Sequence, residues 1–178
     1  NAIFLSVWIY LPRATASLGS ERSLAVTTAT ALLAWAMFGM VTILCIGELS
    51  EYGTGPRTIG MIGIALTAVF GIVLGWKPYE SPNGSREVSK PILLARGLMA
   101  ATAIGASVWV AGLGYPLLAG LASVFPAIFL TSMVSLWISQ GPSVPRGAAA
   151  PMLLGGGSVG IYSLVAMYSL EAHGMVIG

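Results

Sequence analysis

From Leu24 to Gly47 the chain carries no charged residue. A run of that length and apolarity is what a bilayer-crossing helix requires, about 20 residues. Hydrocarbon offers no partner to backbone N–H and C=O groups, so the run must satisfy them within itself by coiling. The same signature recurs along the chain. Of the 178 residues 56% are hydrophobic and only 8% charged, against roughly a quarter charged in an ordinary soluble domain. Too few polar side chains exist to clothe a water-facing surface, and lipid is the expected solvent.

Six segments follow from this pattern. Ala2 to Leu11 is about half the length of a span, so the remainder of a first segment is expected upstream. Pro12, Arg13, Gly19, Glu21 and Arg22 mark its exit. Leu24 to Gly47 is the second and Ile59 to Trp76 the third, with Glu48, Glu51, Tyr52, Gly53, Gly55, Pro56 and Arg57 between them. The stretch "KPYESPNGSREVSK", residues 77 to 90, is a polar loop rich in turn formers. Ile92 to Leu113 and Leu117 to Ser139 form a hairpin through "GLGYP", and Gly147 to Leu170 is the last span, with Pro151 near its start. The expected fold is all-α: a polytopic integral membrane protein of about six transmembrane helices. Its halves are residues 1–76 and 92–178, separated by the polar stretch 77–91.

Alternate loops must lie on opposite faces of the membrane, which tests the layout. Arg13, Arg22, Lys77, Arg86, Lys90, Arg96 and Arg146 fall on one side and Arg57 alone on the other. The basic side is expected to face the cytoplasm or its organellar equivalent, in a bacterial inner membrane or an organelle, with the C-terminus opposite. "NGS" at 83 to 85 matches a glycosylation acceptor but sits on the basic side, so it is read as a turn. Eight Lys and Arg against six Glu and no Asp are too few for a nucleic-acid footprint. Cys45, the single cysteine, excludes an internal disulfide and a cysteine metal cage, and no pattern points to an organic cofactor.

"AIFL" occurs at 2 to 5 and at 127 to 130, each copy followed by apolar residues, a turn with Gly and Arg, and a helix rich in small residues. The copies lie four crossings apart and run the same way, which suggests a parallel internal repeat. Pro126 sits inside the fifth segment, where it removes a donor and crowds the carbonyl four residues back. A packing kink partnered by Ser123 or a neighbouring helix is the plainer reading. A hinge or cavity wall at mid-membrane is the sharper one.

Gly63, Thr67, Gly71 and Gly75 recur every four residues, as do Gly97, Ala101 and Gly105, so each set lines one helix face and admits a second backbone closely. Gly155, Gly156 and Gly157 leave a bare surface on the last helix. "GGSVG" at 156 to 160 matches a serine-hydrolase motif, yet Ser158 and the only histidine, His173, are roughly 22 Å apart on one helix. That distance forbids proton transfer, and no catalytic residue or enzymatic activity is expected. The six Glu all lie in loops or near helix ends, so an intramembrane proton relay is not expected either. A solute would have to be met by hydroxyls such as Thr27, Thr28, Thr30, Ser107, Thr131, Ser132 and Ser135, or by backbone opened at Pro126.

The stretch "GLASVFPAIFLTSMVSLWISQG", residues 120 to 141, with the span after it, resembles the small GlpM-type bacterial membrane proteins. It is also similar to one repeat of the drug/metabolite transporter architecture. The resemblance implies a membrane protein built from related halves, with transport as a role. Two functions are therefore expected in competition. One is a carrier or facilitator for a small solute, its path near Pro126, Ser123, Thr131, Gly155, Gly156 and Gly157. The other is a non-catalytic integral subunit docking, through its glycine faces, with copies of itself or with other subunits of an energy-converting membrane complex.

Overall fold

A computed structural model describes residues 1–51, 53, 55–76, 89–123 and 125–177. The described chain is helical: α1 (Ala2–Ala14), a 3₁₀ turn (Ala16–Leu18), α2 (Ser20–Glu51), α3 (Pro56–Gly75), α4 (Lys90–Gly112), α5 (Pro116–Ser123), α6 (Ala127–Gln140) and α7 (Ser143–Ile177). Proline opens α3 and α4, where its missing N–H costs no helical bond. Gly19 and Gly141 end the turns before α2 and α7 with nearly the same backbone, φ 83 and ψ 157 against φ 88 and ψ 173. Only glycine takes that conformation without strain.

Among the described residues five helical stretches are long and apolar enough to cross a membrane: 20–49, 57–75, 90–112, 118–140 and 143–172. The remaining one of the about six expected segments, the partial one at Ala2 to Leu11, corresponds to α1, an apolar helix shorter than these. A difference concerns Pro126. Instead of bending one continuous helix, it separates α5 from α6 and becomes the N-cap of α6, with φ −78 and ψ 43. The ring disfavours helical backbone at the preceding residue, so Phe125 leaves the helix and donates to the Ala122 carbonyl at 3.1 Å. Ser123 closes α5, and its side chain lies outside the described residues. So do Lys77, Arg86, most of the expected 77–91 loop and the "NGS" turn.

Short α1 sits at the centre of the molecule. Phe4, Leu5, Trp8 and Ile9 are fully buried and form one core with Ala31 of α2, Met133 and Trp137 of α6, and Ala149 and Leu153 of α7. Trp8 and Trp137 meet edge to face with centroids 6.0 Å apart, the arrangement aromatic quadrupoles prefer. The helices of residues 1–76 and 92–178 interlock, since α1 packs on both α2 and α7, and α3 lies along α7. Around this core the long helices turn apolar faces outward: Leu66 and Val73 of α3 and Val108 and Trp109 of α4 are among the exposed side chains.

Candidate functional site

The break between α5 and α6 is where the sequence concentrated its substrate-path candidates, and two apolar hollows lie beside it. Trp35 of α2 stands edge to face with Phe125 at 5.3 Å, and Leu121 of α5 presses on Gly39, where an added Cβ would come within 2.5 Å of it. On one side of this wall a hollow of about 460 Å³ is lined by Trp35, Ala122, Phe125 and, from α4, Leu98, Thr102 and Ala106. On the other side a hollow of about 380 Å³ runs along α2, past Phe38, Thr42 and Ile46, and is lined as well by Asn1, Ile3 and Phe4. The threonines add little polarity to either one. Thr102 donates to the Leu98 carbonyl at 2.8 Å and Thr42 to the Phe38 carbonyl at 2.8 Å, bonds internal to their own helices that leave a methyl facing outward.

The path candidates are placed as follows. Pro126 is buried. Thr131 turns back to the Ala127 carbonyl at 2.8 Å. Gly156 faces α6, where a Cβ would lie 3.2 Å from the Phe129 ring, while Cβ atoms at Gly155 and Gly157 would meet nothing within 4 Å. The proline-capped helix and the triple glycine are thus brought together, with an aromatic ring filling the contact. Ser158 bonds the Gly155 carbonyl at 2.7 Å, and Ser107 bonds that of Ala103 at 2.7 Å. Thr27 and Ser132 are buried near the α1 core, and the Oγ atoms of Thr27, Thr28 and Ser132 and Nε1 of Trp8 have no hydrogen-bond partner among the described residues.

The packing candidates divide. A Cβ on Gly71 would approach Leu154 to 2.6 Å, and one on Gly75 would touch Ala150 at 3.9 Å. Gly63 lies off that contact, with nothing within 4 Å of its Cβ position, and Thr67 bonds the Gly63 carbonyl at 2.8 Å. The contact line of α3 runs instead through Gly60, 3.1 Å from Leu164, and Ile64, 2.9 Å from the Cβ position of Gly160. Each step of four residues turns about 40° past a full turn, so the stripe 63–67–71–75 winds around α3 and only its later members face α7. Gly39, Gly60 and Gly160 escaped the sequence reading because each becomes visible only once its partner helix is known. On α4, Gly97, Ala101 and Gly105 are exposed, and the two glycines have open space at their Cβ positions.

Polar residues gather at the two ends of the bundle. At one end the Arg146 Nε donates to the Ile9 carbonyl at 2.9 Å, Thr15 and Ser23 share a buried bond of 2.6 Å, and Trp137 Nε1 donates to Ser20 Oγ at 3.2 Å. At the other end Arg57 pairs with Glu171 and stands over the Tyr168 ring, 4.8 Å from its centroid. No group of His, Cys, Asp or Glu among the described residues could hold a metal ion.

No family model, curated protein or solved structure matches the chain. Fold and geometry therefore define its class: among the described residues, an all-helical chain with five stretches long and apolar enough to cross a membrane, a form compatible with an integral membrane protein.

Proposed function

We propose that the chain is a polytopic integral membrane protein serving as a non-catalytic subunit, docked into a larger membrane assembly through helix faces its own fold leaves uncovered. One observation carries this reading. On α3, Gly60, Gly71 and Gly75 are taken up against α7, whereas on α4 Gly97, Ala101 and Gly105 are all exposed, with nothing within 4 Å of the Cβ positions of the two glycines. Without a hydrophobic force between helices in lipid, such faces hold another helix by close van der Waals approach. An energy-converting complex is one setting that fits.

The solute-carrier reading has less behind it. A carrier site near mid-membrane is polar or opens backbone to solute, and here the hollows beside Pro126 are apolar, Thr131 bonds its own helix and Phe129 fills the contact at Gly156. In the proposed orientation Arg13, Arg22 and Arg146 face the cytoplasmic equivalent, and Arg57 with Glu171 faces away from it. The helix pairs α1–α2 and α6–α7 are two copies of a parallel repeat.

Purification in mild detergent tests the proposal. A partner chain at fixed stoichiometry, lost when Gly97 and Gly105 are both changed to Leu, is expected. A lone particle that catalyses saturable solute uptake into liposomes would overturn it.

A further inference from the structure

The outer face of α1 keeps an open apolar groove of about 390 Å³. Ile3, Ser6, Val7, Tyr10, Leu11 and Ala14 line it, with Thr30 of α2 along one edge. Intervals of three and four residues put all six on one side of the helix, while Phe4, Leu5, Trp8 and Ile9 carry another side into the core. Ser6 does not make the groove polar, because its hydroxyl donates to the Ala2 carbonyl at 2.9 Å and is satisfied within its own helix.

Charge marks one end of this groove. Arg13 follows Ser6 by seven residues and Tyr10 by three, which keeps it on the groove side of α1, and it is exposed. Arg22, also exposed, lies just past the turn that the Thr15–Ser23 bond closes. Counted back from Thr30 at about 100° per residue, Arg22 is displaced by about 80°, whereas its acidic neighbour Glu21 falls on the opposite side of α2. Tyr10 is 55% exposed one turn from the charged end, the place where an amphipathic ring bridges hydrocarbon and headgroups. From Ala14 back to Ile3 the stripe runs roughly 16 Å, close to half of a hydrocarbon core about 30 Å thick. A single leaflet's acyl chain matches that length. Helices in lipid meet over rows of small residues, and here Tyr10 separates Ser6 from Ala14 while Ile3, Val7 and Leu11 stand beside them. Building on the membrane reading above, we propose that this groove seats one acyl chain of an anionic phospholipid from the leaflet on the basic side, with its phosphate held at Arg13 and Arg22. The arginines select the headgroup by charge, and the groove takes up the chain.

The test reconstitutes the full chain in phosphatidylcholine vesicles containing a trace of phosphatidylglycerol that carries a diazirine at mid-chain, then sequences the photo-adducts. Adducts are expected at Ser6, Tyr10 and Thr30, and unlabelled phosphatidylglycerol should displace them in preference to added phosphatidylcholine. Arg13→Gln should reduce that preference about fivefold, the effect of one basic residue at a membrane surface, and Arg13→Lys should retain it. Trp109, on the exposed flank of α4, reports bulk lipid and should show no headgroup preference in any variant. Adducts at Trp109 with none on α1 would mean that protein covers the groove. Equal displacement by the two lipids, or a preference unchanged in Arg13→Gln, would mean that the arginines select nothing. Each of these outcomes overturns the lipid site and leaves the membrane reading standing, whereas adducts at neither helix would overturn both.

Discussion

Arg57 and Glu171 meet at the end of the bundle where α3 begins and α7 finishes, and the same guanidinium stands over the ring of Tyr168. Arg57 is also the one basic residue that the loop pattern puts opposite the other seven. Its charge is balanced by a partner from the far end of the chain, and the contact fixes α3 antiparallel to α7.

Because the two side chains are about half exposed, 46% and 54%, the pair should contribute about 1 kcal/mol or less. Glu171→Gln should therefore lower the thermal midpoint in detergent slightly, and the difference should shrink as salt is raised. A loss several times larger would show the pair to be shielded from water.

The α3–α7 contact should discriminate between two glycines of one helix. Gly71→Leu drives a side chain into Leu154, whose nearest carbon already lies 2.6 Å from the Cβ position, while Gly63→Leu enters open space. Overpacking of the first kind costs about 1–3 kcal/mol. Unfolding of both variants in detergent checks this, and equal stabilities would contradict the α3 register.

Trp8 and Trp109 should behave as opposites. The first is fully buried against Trp137 and the second is 69% exposed. Trp8→Ala should cost about 3–5 kcal/mol through cavity formation, whereas Trp109→Ala should leave the isolated protein near its original stability. Chemical denaturation of the purified variants measures both.

Thr27 is fully buried with no partner for its hydroxyl among the described residues. Replacing it by valine, nearly its shape, should be neutral or stabilising, since an unsatisfied polar group is removed. Destabilisation by more than about 1 kcal/mol would reveal that a bound water holds the hydroxyl in place.

Side-of-membrane labelling checks the layout. Cysteines at Gly55 and Gln140, in a Cys45→Ser background, should react with an impermeant maleimide from opposite compartments, because they lie at opposite ends of α3 and α6 in a bundle with alternating helix directions. Reaction from one compartment would dismantle the orientation proposed here.

Much of the fold was legible in the sequence because hydropathy is a local property. Apolar runs located α2, α3, α4 and α7 within several residues, and Gly114 with its neighbours marked the hairpin between α4 and α5. The glycine stripes were legible as small-residue faces, but not their use. On α3 the register of contact is set by Leu154, Leu164 and Gly160 on a distant helix, and no spacing within residues 56–75 encodes it. The effect of Pro126 was likewise undecided, since a kink and a break differ only in whether Phe125 finds another hydrogen bond.

By itself the sequence determined that backbone polar groups in long apolar runs must be satisfied by helix, and that charges must collect at helix ends, since both follow from the solvent each segment can tolerate. Only the tertiary structure decided that short α1 would be the centre of the core, that α3 would set Gly60, Gly71 and Gly75 but not Gly63 against α7, and that α4 and the far half of α2 would keep open faces. Those outcomes depend on which helices compete for the same surface, and a surface is assembled from residues far apart in the chain.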